Sequence, residues 1–189
     1  MGITERKGRD RAERERRITA AAREIAEREG WPAVTIRRLA DTIEYSQPVL
    51  YAHFANRDAI VTAVAIVGFQ ELTLALRRAA QESRDRRHAI GALATAYLAF
   101  ARTHPALYAA MFTLPTDLRF ATSDTQPELR EAFAALMAVG PPSRPDAEDV
   151  TETFWAALHG LAELERSGRI RQSAHGERVA LMVEAFFRF

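Results

Sequence analysis

The chain has no cysteine among its 189 residues. That excludes disulfide scaffolds, thiolate metal sites and cysteine nucleophiles together, and it is compatible with a reducing, cytoplasmic setting. Glycine and proline are sparse, at 9 and 8 residues. They punctuate the sequence at Gly30-Trp31-Pro32, Pro48, Pro105, Pro115, Pro127, Pro141-Pro142, Pro145 and Gly168. No charge sign dominates, since the formal net charge is only +1. One nearly unbroken apolar run, Ala59 to Phe69, falls short of the roughly 20 residues a bilayer span needs. It reads as a buried element, and no membrane partner is expected. The N-terminus is charged rather than apolar, which does not fit a secretory signal.

What is present is apolar material, 48% of the residues, enough for a sizeable core. Its spacing is helical. Ile18, Ala21-Ala22 and Ile25-Ala26 recur at three and four, and Gly30 is placed to end that helix. Thr35 suits the N-cap of a short helix carrying Ile36, Leu39 and Ala40, and Ser46 suits the cap of another with Pro48 in its first turn. Asn56 is the next good cap. The stretch Ile60 to Val67 after it is rich in β-branched residues, which favours a strand. Yet the apolar pattern runs on through Leu72, Leu74 and Leu76 without a turn signal, over about 24 residues, too long for a strand. Further helices are expected at 88–103, 105–113, 126–139, 146–166 and 175–188. The fold class is therefore all-α, with about nine helices and no repeat. Upstream of Ile18, seven basic residues (Arg6, Lys7, Arg9, Arg11, Arg14, Arg16, Arg17) stand against Glu5, Asp10, Glu13 and Glu15. Such an arm can attract phosphate, although a mixed run is more often a solvated helix face.

Thr35 to Tyr51 holds a short helix, a tight turn and a second short helix, the spacing of a helix-turn-helix whose second helix enters the major groove. Ile36, Leu39, Ile43 and Leu50 can form its small core, with Ala40 where the two helices approach. The stretch Thr-Ile-Arg-Arg-Leu-Ala-Asp-Thr-Ile-Glu-Tyr-Ser-Gln-Pro-Val-Leu-Tyr-Ala-His-Phe-Ala-Asn-Arg-Asp-Ala-Ile, residues 35–60, resembles the DNA-binding signature of the TetR family. The most specific part is Leu50-Tyr51-x-His53-Phe54-x-Asn56-Arg57-Asp58.

The resemblance implies a role for each matching residue. Thr35 would present its hydroxyl and nearby N–H groups to a phosphate. Gln47 and Val49, after Ser46 and with Pro48 between them, would face the groove, where Gln pairs with adenine and Val meets a thymine methyl. Tyr51, His53 and Arg57 would contact the backbone. Two departures stand out. Glu44 occupies a turn position where the family usually has glycine, at a cost of about 1 kcal/mol if φ is positive. No basic residue lies between Ser46 and Tyr51, so the grip on phosphate must come from Arg37, Arg38, Arg57 and the N-terminal arm.

The rest of the chain carries no catalytic constellation and no Gly-rich phosphate loop. Its histidines (His53, His88, His104, His159, His175) lack histidine partners at metal-ligand spacing on one helix face, so neither an enzyme nor a metal or other cofactor is expected. Trp155, His159 and Gly160 are similar to the Trp-(x)3-His-Gly motif of one subgroup of the family's C-terminal domains. With Tyr97, Phe100, Tyr108 and Phe112, Trp155 and His159 can line a pocket for a small apolar or aromatic effector, or all six can be core. Thr153, Ala156 and Gly160 make a small-residue face that permits close helix approach. Beyond its first turn, which holds Glu177 and Arg178, the last helix confines polarity to Glu184 and Arg188, leaving Met182, Phe186 and their neighbours as more apolar surface than one contact needs. Dimerisation is expected, and the resemblance puts the last two helices of each subunit in the interface.

The expectation is thus a cytoplasmic homodimer that regulates transcription, with a three-helix DNA-binding head in residues 1–57 and a helical ligand-binding and dimerisation body in 58–189. Its partner is double-stranded DNA carrying a palindromic operator, and repression is what the family resemblance implies. A helical small-molecule carrier with a vestigial head stays open at this point, because of Glu44 and the uncharged recognition helix.

Overall fold

The computed structural model describes residues 3–140 and 144–188; Pro141, Pro142 and Phe189 lie outside them. Within these ranges the chain is all-α. Nine α-helices and two short 3-10 turns follow in order: α1 (Ile3–Glu29), η1 (Trp31–Ala33), α2 (Ile36–Ile43), α3 (Gln47–Tyr51), α4 (Arg57–Gln81), α5 (Arg86–Thr103), α6 (Pro105–Phe112), α7 (Pro127–Met137), α8 (Ala147–Arg166), η2 (Gln172–Ala174) and α9 (His175–Phe187). Each helix expected from apolar spacing is present. Helix α1 is longer than that spacing requires, because the charged arm continues it upstream to Ile3.

Two compact units result. The first comprises Met1–Gly68 and His104–Thr122, and the second Phe69–Thr103 and Ser123–Phe189. The unit boundary thus falls inside α4, later than residue 57, and α6 belongs with the N-terminal helices.

Local chemistry explains the first unit. The stripe Ile18, Ala22, Ile25 and Ala26 is buried, and Gly30, at φ 83°, ends α1 in a region that glycine alone enters cheaply. Thr35 caps α2, its hydroxyl accepting from the Arg38 amide at 3.2 Å. Helix α2 ends on Glu44 at φ 58°, ψ 39°, a left-handed conformation, so the departure from glycine seen in the sequence does carry backbone strain. The amides of Glu44 and Tyr45 both bond the Ala40 carbonyl, closing the turn. Leu50 is the buried anchor of α3. Asn56 caps α4 through an Oδ1 that accepts from the Ala59 amide at 2.8 Å. Gly68 lets α4 approach α6 closely: a Cβ there would lie 2.5 Å from Sδ of Met111 and 3.0 Å from Leu107. By length and composition α4 is apolar enough to cross a membrane, but half of that stretch is buried inside the protein, as a core helix would be.

In the second unit α5 packs on α8 and α9, and α7 packs on α8. Ile90, Leu93, Tyr97, Leu129, Leu136, Phe154, Leu158 and Met182 are buried there. Arg86, in the first turn of α5, donates to the carbonyls of Val139 and Gly140 beyond α7 and of Phe187 at the end of α9. A cation is favoured where helices end in unpaired carbonyls.

Replacing Glu44 by glycine relieves the left-handed strain, so Glu44→Gly should stabilise the protein by about 1 kcal/mol and raise Tm by about 2–4 °C in calorimetry. An unchanged or lower Tm would show that the strain is absent. Gly68→Leu should act in the opposite sense. Forcing a side chain against Met111 and Leu107 should cost about 1–3 kcal/mol, read as a lower midpoint in urea unfolding.

Candidate nucleic-acid interface

Helix α3 has one inward residue and an outward remainder. Leu50 is fully buried, Gln47 and Pro48 are exposed, Val49 is half-buried and Tyr51 is 53% exposed. Ser46 holds the N-cap position in extended backbone, but its hydroxyl makes no capping bond to α3. Its carbonyl instead accepts from the amides of Val49 and Leu50. The face bearing Gln47 and Val49 is therefore presented by a helix fixed at a single apolar point. Thr35, at the head of α2, keeps its hydroxyl bonded to its own helix.

The cations around this face are differently occupied. Arg57 donates from Nε to the Val34 carbonyl at 2.9 Å and from Nη2 to the Trp31 carbonyl at 2.8 Å, with its guanidinium 5.9 Å from the Trp31 ring. Much of its donor capacity is spent holding η1 and the start of α2. Arg38 is bonded to Glu29 at 2.6 Å. Arg37 lies outward, 84% exposed and 4.0 Å from Asp41. The His53 side chain is only 7% exposed, its Nδ1 lying 3.3 Å from Glu15 of α1.

One pair was not legible in the sequence. Arg17 of α1 donates to the Tyr45 hydroxyl at 2.9 Å and lies 5.0 Å over its ring. Tyr45 is in the turn that precedes α3, so the pair fixes α1 against that turn. An aromatic residue in a tight turn was the only signal, and its partner lies 28 positions upstream.

The residues expected to line an effector pocket divide between the units. Tyr108 and Phe112 lie on α6 in the first, their rings 4.8 Å apart, and Tyr108 is buried. Tyr97, Phe100, Trp155 and His159 lie in the second. Tyr97 and Phe100 are buried, Trp155 and His159 half-buried, and the indole N–H donates to the Tyr97 hydroxyl at 3.1 Å. Burial pushes the His159 imidazole below its ordinary pKa, against a smaller opposing pull from the Glu163 charge. None of these six lines the small cavity of about 10 Å³ bounded by Ile90, Leu136, Thr151, Phe154 and Phe186, which has room for one water.

Of the residues expected at a dimer face, Thr153 and Ala156 are exposed on α8, and a Cβ on Gly160 would meet nothing within 4 Å. Met182 is buried within its own subunit, and Phe186 packs on Phe154 with ring centroids 4.8 Å apart. Outward apolar residues on α8 and α9 are instead Leu181, 70% exposed, and Leu164 and Phe187, each 39% exposed. Leu164 follows Gly160 by four residues and so continues the stripe that begins at Thr153.

Known proteins agree with this architecture. The model for bacterial regulatory proteins of the tetR family matches residues 18–64, and that for the tetracyclin repressor-like C-terminal domain matches residues 90–186. An uncharacterized HTH-type transcriptional regulator of Mycobacterium tuberculosis is 31% identical over 153 residues, covering 80% of this chain and 69% of that relative. A protein of unknown function from Rhodococcus sp. RHA1 is 28% identical with TM-score 0.75, over 92% of this chain and 93% of its own. A TetR variant from Acinetobacter baumannii AYE, in complex with minocycline, has TM-score 0.64 over 90% of this chain and 94% of its own. At 20% identity it is similar in fold alone. With an all-α fold, an exposed second helix in the helix-turn-helix and both family domains matched, the chain belongs to the TetR family and is a DNA-binding transcriptional regulator, not an enzyme.

Proposed function

We propose that this regulator is a repressor that binds a palindromic operator as a homodimer and responds to a small apolar or aromatic effector. The observation that carries the DNA-binding half is the outward face of α3, anchored by Leu50 alone, with Gln47 exposed and Val49 half-exposed. Gln47 would read adenine and Val49 a thymine methyl in the major groove. Ser46, Pro48 and Tyr51 flank them, and the uncommitted Ser46 hydroxyl suits a phosphate. Thr35 and Arg37 would meet the backbone from α2. Arg57 and His53 act chiefly from within, Arg57 bracing η1 and His53 bearing on Glu15. In this reading residues 1–57 are the DNA-binding part and 58–189 the part that takes the effector and the second subunit.

The stripe of Thr153, Ala156 and Gly160 on α8, extended by Leu164 and by Leu181 of α9, supports self-association. Met182 and Phe186 would support that surface from beneath. Two heads related by a two-fold axis read two half-sites about 34–36 Å apart, hence the palindrome. For the effector, a half-buried His159 whose imidazole burial holds toward the neutral form offers one donor and one acceptor, on the same helix as Trp155, whose indole bonds the Tyr97 hydroxyl. The minocycline complex of a structural neighbour supports a ligand-binding body in this fold. Helix α4 runs unbroken from the first unit into the second, and an effector that favours one conformation would change operator affinity through a coupling of about 1–3 kcal/mol.

Selection of genomic fragments by the purified protein should enrich a palindrome. Gln47→Ala or Val49→Ala should then lower the preference for that fragment over scrambled sequence by about 1–3 kcal/mol, with little change in non-specific binding. Enrichment of no palindrome would sink this reading.

A further inference from the structure

Helix α1 begins at Ile3, while its first buried residue is Ile18. At 1.5 Å per residue the overhang is about 22 Å long. Lys7, Arg11 and Arg14 recur on it at intervals of four and three, in register with Ile18, Ala21, Ala22 and Ile25. The face that packs on the core therefore continues past the last buried residue, Ile18, as a basic stripe. That edge is marked by two contacts. Glu15 lies against His53, just after α3, and Arg17 is bonded to Tyr45, just before α3. The overhang thus starts beside the segments that flank both ends of the recognition helix, within reach of a duplex seated on α3.

Charge selects what that surface is. Between Glu5 and Arg17 the basic residues outnumber the acidic ones by three. Two of the acids are already paired within the helix, Glu13 with Arg16 and Glu15 with Arg11; the Arg11 pair is exposed, so its guanidinium can exchange Glu15 for a phosphate, and Lys7 and Arg14 form no ion pair among the described residues. The guanidinium groups closer to α3 are committed elsewhere, Arg57 to two backbone carbonyls and Arg38 to Glu29. A lipid surface fits poorly, because an interfacial helix needs an apolar face and this overhang has only Ile3, Gly8 and Ala12 to offer.

We infer that residues 3–17 of α1 form a second DNA-contacting element, in which Lys7, Arg11 and Arg14 hold the phosphate backbone beside the groove that α3 enters. The inference rests on the head being a reader of duplex DNA. Its contacts are to phosphate, so they add affinity for every sequence and discriminate among none.

The test is a salt series on the full chain carrying Lys7→Gln, Arg11→Gln and Arg14→Gln together. Binding is read by fluorescence anisotropy on the fragment returned by genomic selection and on its scrambled counterpart. All three side chains are exposed, so thermal unfolding should match that of the parent. A control chain loses the same charge from exposed sites of the second unit, through Arg102→Gln, Arg130→Gln and Arg169→Gln. The first variant should lower the slope of log K against log salt by about one per side chain removed in each subunit. It should weaken both duplexes alike, by about 10-fold or more, and the control should keep the parent slope. An unchanged slope in the first variant overturns the inference while leaving the reading of bases by α3 intact. Equal loss in both variants overturns it as well, because total charge would then be the cause. A parent chain that binds no duplex overturns both proposals together. Binding to phosphatidylglycerol vesicles that depends on the three residues, with duplex slopes unchanged, overturns it in favour of a membrane surface.

Discussion

Trp31 is buried, so its indole N–H must find an acceptor inside the protein, and it finds the Ala106 carbonyl at 2.8 Å, 75 residues along the chain. The same place satisfies two other demands. Helix α6 opens with amides that no residue of its own turn can accept, and the Glu27 carboxylate takes those of Ala106 and Leu107, each at 3.0 Å. A negative charge at that end also suits the helix dipole. The carbonyl of Trp31 in turn accepts from Arg57, whose guanidinium lies over the indole ring. The ends of α1 and η1 and the starts of α4 and α6 meet in one node, where each polar group answers another's requirement. That is why α6 belongs to the unit of the DNA-binding helices, although five helices precede it in the chain.

The node also sets the recognition helix, by way of α1. At one end of this helix Glu27 holds α6, and near its middle Glu15 and Arg17 bear on His53 and Tyr45, on either side of α3. Helix α3 has only five residues and one buried anchor, too little to fix its own orientation. Its position is inherited from α1 and from the strained turn at Glu44. Removing the strain at Glu44 would therefore change the stability of the turn more than its course, since the amides of Glu44 and Tyr45 stay bonded to Ala40.

What the sequence disclosed and what it hid divide along the same line. Helix positions depend on neighbours three and four apart, so the stripes of Ile18 to Ala26 and Ile60 to Leu76 could be read directly, and so could the caps at Thr35 and Asn56. The β-branched run in α4 was decided for helix by length. The fate of individual side chains was less accessible. His53 looked like a surface contact, yet its side chain is enclosed by a carboxylate 38 residues upstream. Arg57 looked like a free cation, yet the carbonyls it serves lie 23 and 26 residues away. Met182 and Phe186 were rightly read as apolar, but periodicity cannot say which side of an apolar helix faces its own core; Leu164, Leu181 and Phe187 are the outward residues of α8 and α9. Partners distant in sequence leave no local trace.

The uncharged recognition helix, at first the weak point of the DNA-binding reading, becomes consistent once these commitments are counted. Phosphate contacts supply affinity that falls steeply with salt and is blind to sequence, whereas contacts to base edges supply discrimination. A helix that carries both cannot strengthen one without disturbing the other. Here Gln47 and Val49 carry no charge, and the cations that could serve the backbone stand on α2 and on the overhang of α1. On the proposed reading, substitutions at Gln47 or Val49 would change which bases are preferred, and changes in the arm would retune the grip without altering the preference. Separating the two on different helices requires that α1 be held rigidly against α3, and the Glu15–His53 and Arg17–Tyr45 contacts do that.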